Sequence, residues 1–167
     1  MTINAYTASV PVYSHMLTSL KAILEKALAF EAEKKLAPTV LPNLRLAVDM
    51  LPLSKQVQIA SDNAKGAVAR LSGQDVPAWA DTETTLPELI ARVDKTIAYL
   101  ATFTPEQFVG CESKAITLKA GPREFNFTGE QYQLYFAQGN IYFHITTTYN
   151  ILRNAGVQIG KRDFLGG

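Results

Sequence analysis

Three side chains stand out as candidates for chemistry: the two histidines, His15 and His144, and the single cysteine, Cys111. His144 lies in "GNIYFHITTTYNILRNAG", residues Gly139 to Gly156, which reads as a long helix. Spacing of four places Asn140, His144 and Thr148 on one face of it. A divalent metal wants several neutral or deprotonated N, O or S ligands converging at bonding distance. One imidazole, one amide and one hydroxyl are a poor set. A carboxylate from the second helix, Asp62 or Asp49, and the imidazole of His15 would have to complete it. The alternative ligand set for a metal such as Zn or Ni is therefore His144, His15 and Asp62, but nothing in the spacing demands it. The reading carried forward has no cofactor. It has a small-ligand cleft around Asn140, His144, Thr148 and Asp62.

His144 also has the pKa range of a general acid or base, yet no nucleophile with a distinctive motif accompanies it. The plainer role is a bundle-lining histidine bonded to a tyrosine, threonine or carboxylate, since buried polar groups take partners. The threonines of "TTTY" read first as helix residues bonding back to the preceding turn. Cys111 reads as a buried thiol, because a reactive one needs a site that stabilises the thiolate. One cysteine forms no internal disulfide, which suits a reducing cytoplasm.

Four apolar helical patterns must position these groups. The first begins near Ser9, with Pro11 in its first turn, and runs through Tyr13, Leu17, Leu20, Leu24 and Leu28. "LAPTVLPN" reads as a linker. A second helical region covers "LRLAVDMLPLSKQVQIASDNAKGAVARLSG"; Pro52 inside it either kinks the helix or splits it into a short turn and a longer helix from Pro52 to Leu71, with Gly73 as a C-cap. The third opens on Thr85, Pro87 and Glu88, a capping-box signature. "TPEQF" suggests a short helix at Thr104. The period then drops to two: Ala115–Lys119 and Arg123–Phe127 read as a β-hairpin that must pack on the helices. Thr128 and Gln131 open the fourth helix, which ends at Gly156. Its aromatics, Tyr132, Tyr135, Phe136, Tyr142, Phe143 and Tyr149, surround it, as expected of a central helix or of one that meets another subunit. The tail "VQIGKRDFLGG" carries three apolar groups, Ile159, Phe164 and Leu165, and is expected to dock, either on its own bundle or across a dimer.

The composition excludes some classes. With 167 residues, 47% apolar and 19% charged, the chain suits one globular domain over 1–167. Sixteen basic and 15 acidic residues give a net charge of +1, without the basic face a nucleic-acid partner requires. No apolar run is long enough to span a membrane, and the N-terminus lacks a signal-peptide pattern.

"GNIYFHITTTYNILRNAGVQIGKRDFLG" resembles the C-terminal signature of a bacterial domain-of-unknown-function family in the DinB/YfiT-like superfamily. "DMLPLSKQVQIASDNAKGAVARLSG", "PAWADTETTLPELIARVDKTIAYL" and "SVPVYSHMLTSLKAIL" resemble the same family, from about Ser9 to Gly166. The resemblance implies an all-α four-helix bundle with a short hairpin before the last helix; up-down-up-down is the simplest order. It implies frequent dimers, and in many members a metal held by one histidine on the second helix and HxxxH on the last. Some members are transferases using bacillithiol, mycothiol or glutathione. Here Asn140 and Thr148 flank His144 where HxxxH would need a second histidine, and the second helix has none. Neither the metal nor the transferase activity carries over. The expected protein is a cytoplasmic homodimer with a small-molecule ligand and neither a nucleic-acid nor a membrane partner. The alternative is a divalent-metal-dependent DinB-type enzyme, a thiol transferase or hydrolase-like, with a substituted ligand set.

Overall fold

The apolar periodicity becomes four long helices in the computed structural model, which describes residues 3–120 and 122–167. Helix α1 spans Val10–Lys34 and buries Tyr13, Leu17, Leu20 and Leu24 on one face. Ser9 precedes it, but its hydroxyl donates back to the Ala5 carbonyl instead of capping the helix. The expected linker contains a short helix, α2 (Val40–Asn43). Helix α3 spans Leu53–Ser72 behind Pro52 and ends at Gly73 in the left-handed conformation (φ +80°). Helix α4 spans Leu86–Leu100. Its Glu88 carboxylate accepts from the Thr84 and Thr85 backbone N–H groups at 2.7 and 3.0 Å, which satisfies donors the helix start leaves open.

A 3₁₀ turn at Pro105–Phe108 follows, as "TPEQF" suggested, and a second covers Cys111–Ser113. Strands β1 (Ala115–Ala120) and β2 (Arg123–Thr128) pair antiparallel, with Ile116 opposite Phe127 and Leu118 opposite Phe125. Period-two geometry puts these four on one face. Thr128 and Gln131 cap reciprocally. The last long helix is continuous over 129–154, as α5 (Gly129–Gln131), a π-helical stretch at Tyr132–Ala137 and α6 (Gln138–Asn154). The tail forms α7 (Lys161–Phe164) and docks on α1. Lys26 pairs with Asp163, His15 Nε2–H donates to the Leu165 carbonyl at 3.0 Å, and Phe164 meets Tyr149 edge-on.

The four-helix bundle with a hairpin before its last helix is as expected, but the helix directions refine the simple alternation. Gln56 faces His144 and Arg70 faces Tyr132, so α3 and the last helix are antiparallel. Gln58 reaches Glu83 ahead of α4, and Ser61 meets Thr96 further along it, so α3 and α4 are parallel. The Ala5 carbonyl accepts from Gln133, which sets α1 parallel to the last helix. The order is up, down, down, up. Parallel neighbours need a connection as long as the helix, and residues 73–85 run back as a strap. Extended chain covers about 3.3 Å per residue, against roughly 22 Å for a 15-residue helix, so the strap is long enough. The core is the shared interior of α1, α3, α4 and α6, closed by the hairpin's apolar face.

Candidate functional site

Gln56 occupies a core position of α3, one turn after Leu53, and is only 2% exposed. A buried amide must find partners. Its Nε2 donates to the Leu51 carbonyl at 2.9 Å, which turns its Oε1 toward α6. There it accepts from His144 Nδ1 at 2.7 Å. An amide oxygen only accepts, so the proton must sit on Nδ1. Burial holds the imidazole pKa below its ordinary value, because a partly desolvated site disfavours the charged form. Near neutral pH His144 is a neutral Nδ1–H tautomer whose Nε2 remains an acceptor. Phe143 stands edge-on to it, with ring centroids 5.2 Å apart.

The other expected site residues are only partly gathered. Asn140 Nδ2 donates to the Phe136 carbonyl at the end of the π-helical stretch. Thr148 is fully buried and its hydroxyl bonds back to the His144 carbonyl, as Thr147 does to Phe143. Asp62 accepts from Arg92 and Lys65, at 2.9 and 2.8 Å. His15 is engaged with the C-terminal tail. Cys111 is buried, and burial pushes its thiol pKa up.

The donor set does not fit the metal the resemblance brings to mind. Gln56 takes the Nδ1 proton of His144 on the helix where that pattern has a histidine, and Thr148 turns its hydroxyl inward. Among the described residues no group of three His, Cys, Asp or Glu side chains converges on one point. His144, His15 and Asp62 are each committed to a different neighbour.

A hollow of about 220 Å³ lies further along the groove between α3 and the last helix, roofed by the hairpin. Asp62, Asn63 and Arg70 come from α3, Tyr132 and Phe136 from the π-helical stretch, and Leu118, Lys119 and Phe125 from the hairpin. Phe136 meets Phe127 at 5.6 Å and Tyr132 at 5.9 Å between ring centroids. His144 lies beyond one end of the hollow. Its partner Gln56 is seven residues, about 10 Å of helix, from Asn63.

Two features went unread in the sequence. The π-helical stretch is one; such stretches recur at functional sites, but aromatic crowding was its only signal. The other is an ionic cluster centred on the buried Arg92, whose side chain is 2% exposed while its acids reach toward solvent. Arg92 meets Asp62 at 2.9 Å, Asp81 at 3.0 Å and Glu83 at 3.1 Å, and donates to Ser61 and the Ala80 carbonyl. Burial alone would lower its pKa; the Glu83 hydrogen bond and the charges of Asp62, Glu83 and Asp81 outweigh that and raise it. Trp79 lies between the ammonium groups of Lys65 and Lys95, at 4.4 and 4.3 Å from its ring centroid. The strap is thereby tied to α3 and α4. The available signal was an arginine inside the apolar stripe of Leu89 and Val93, a short way after the acids of "ADTE".

Residues 5–165 match the family model described as a domain of unknown function (DUF1993). The crystal structure of a DinB family member from Shewanella denitrificans is 44% identical, covers 97% of this chain and 92% of its own, and superposes with a TM-score of 0.90. No functionally curated protein matches the chain.

Proposed function

We propose, from the premise that this chain belongs to the DUF1993 family and shares the DinB-like bundle, that it binds a small molecule without a metal. The ligand occupies the groove between α3 and the last helix, from His144 past Asn140 to the Asp62 hollow. The observation that carries this reading is the bond from His144 Nδ1–H to Gln56 Oε1. It fixes the tautomer, orients the ring and leaves Nε2 as an acceptor for a ligand O–H or N–H, while burial keeps the imidazole neutral. A buried amide in place of a ligating histidine suits recognition better than metal binding.

The working form is a homodimer. Tyr135, Tyr142 and Phe143 are exposed on the last helix, Tyr135 at 76% and Phe143 at 57%. Gly139 stands among them with no atom near where a Cβ would be. A second copy laid across this glycine would pair Tyr135 with its partner's Tyr142 about a two-fold axis, as isologous contacts require. No described helix is long and apolar enough to cross a membrane, which agrees with a role in solution.

The test is elemental analysis of the untagged protein, before and after incubation with excess Zn²⁺ or Ni²⁺, beside a His144→Ala control. The expected result is no stoichiometric metal in either protein. Metal bound one-to-one and lost with His144 would overturn the reading in favour of a DinB-type metalloenzyme with substituted ligands.

A further inference from the structure

Arg70 is the unusual member of the hollow's wall. It sits in the last turn of α3 and makes no salt bridge to any described acidic residue. Its guanidinium is nevertheless held in place. Nη1 donates to the Tyr132 hydroxyl at 3.1 Å, and the guanidinium carbon lies 5.9 Å from that ring's centroid. The guanidinium also lies against Gly66, where a Cβ would collide with Nη1. Glycine inside a helix costs about 1 kcal/mol against alanine, and here it clears the space the cation fills. Lys119, also without a described salt bridge, lines the same hollow from β1. The one acid in the wall, Asp62, is already matched by Arg92 and Lys65. The remaining wall is aromatic, with Phe125, Phe136 and Tyr132.

We infer that the hollow recognises a small aromatic anion, with its carboxylate or phosphate on Arg70 and Lys119 and its ring against Phe125 and Phe136. This rests on the groove being a ligand site and names the class of ligand. Arginine is the apt residue, because its planar fork matches both oxyanions and it stays charged when part-buried. A hollow of about 220 Å³ suits a single substituted ring rather than a larger cofactor.

The test titrates the full chain with benzoate, phenyl phosphate and benzyl alcohol, followed by amide chemical shifts, in wild type and in Arg70→Gln and Lys119→Gln. Circular dichroism and melting confirm that each variant is folded. One or both anions should bind wild type and shift amides at Leu118, Phe125, Tyr132 and Phe136. Arg70→Gln should weaken that binding about tenfold, the scale of a lost charged hydrogen bond, and Lys119→Gln by less. Preference between benzoate and phenyl phosphate identifies the anion. If benzyl alcohol binds as well as the anions, and equally in Arg70→Gln, the anion inference fails while the ligand groove stands. If none of the three shifts these amides, this inference fails, and metal analysis decides the groove reading separately.

Discussion

Gln56 Oε1 and His144 Nδ1 stand 2.7 Å apart across the interface of α3 and α6, although 88 residues separate them in the chain. The pair sets the tautomer of the imidazole, and burial sets its acidity. Burial lowers the His144 pKa in the folded protein, so the unfolded chain holds that proton more tightly. The contribution of His144 to stability is complete above the unfolded value of about 6.5 and is lost as pH falls through the lower, folded value. The melting temperature should decline on acidification through this window. His144→Gln should flatten that dependence, and NMR titration of the Hε1 signal gives the midpoint directly. A midpoint at or above the unperturbed value would contradict the buried neutral assignment.

Replacing the amide by a carboxylate inverts the sign. In Gln56→Glu the new anion would favour imidazolium, and the His144 pKa should rise by at least about one unit, the usual scale for an adjacent opposite charge. Stability would then be greater on the acid side of neutrality than above it.

Arg92→Met should be among the most damaging single substitutions in the bundle. It leaves Asp62, Asp81 and Glu83 without their shared cation and Ser61 without a donor. Asp62 keeps Lys65 and Asp81 keeps Lys55, so Glu83 is the acid left nearest to buried and unpaired, and the loss should be about 1–3 kcal/mol. Lys21→Ala breaks the exposed Asp94 pair and should cost far less, because solvent screens an exposed pair. Urea unfolding of the two variants side by side measures the difference, and proteolysis within residues 73–85 of Arg92→Met reports release of the strap.

Two glycines should respond oppositely to alanine. Gly139→Ala meets open space and should stabilise the isolated chain by about 1 kcal/mol, while weakening self-association measured by light scattering across a dilution series. Gly66→Ala should show no such gain, because the new methyl displaces the Arg70 guanidinium. Loss of anion binding in a folded Gly66→Ala protein would tie that glycine to the ligand.

The helices, the hairpin and the docked tail were legible because each is written locally, in apolar spacing, caps and turns. Thr128 and Gln131 cap as read, and the hairpin packs on the helices as read, through Phe125 and Phe127 against Phe136. Helix direction is not local. It follows from which helix a long connection reaches, and the 73–85 strap carries no periodic pattern to reveal it. His144 was found as a bundle histidine, but its partner belongs to another helix and is an uncharged amide. Gln56 and Arg92 both interrupt apolar stripes, and beyond the acids of "ADTE" ahead of Arg92 that interruption was the only trace. Asp62 was singled out as a carboxylate facing the cleft, and two cations from beyond the cleft claim it.

The parallel arrangement of α1 and the last helix bears on how the chain acquires its structure. The neighbours of α1 are α4 and a helix more than a hundred residues downstream, whose Gln133 binds Ala5 just before α1 and whose trailing tail meets His15 through Leu165. Such distant pairings make closure slow relative to local helix formation. On the ribosome α1 can form early, yet part of its apolar flank has no cover until residues 129–154 emerge. Completion of the core therefore waits for the last helix, and a chain arrested before it would present the inner faces of α1 and α3 to whatever it met.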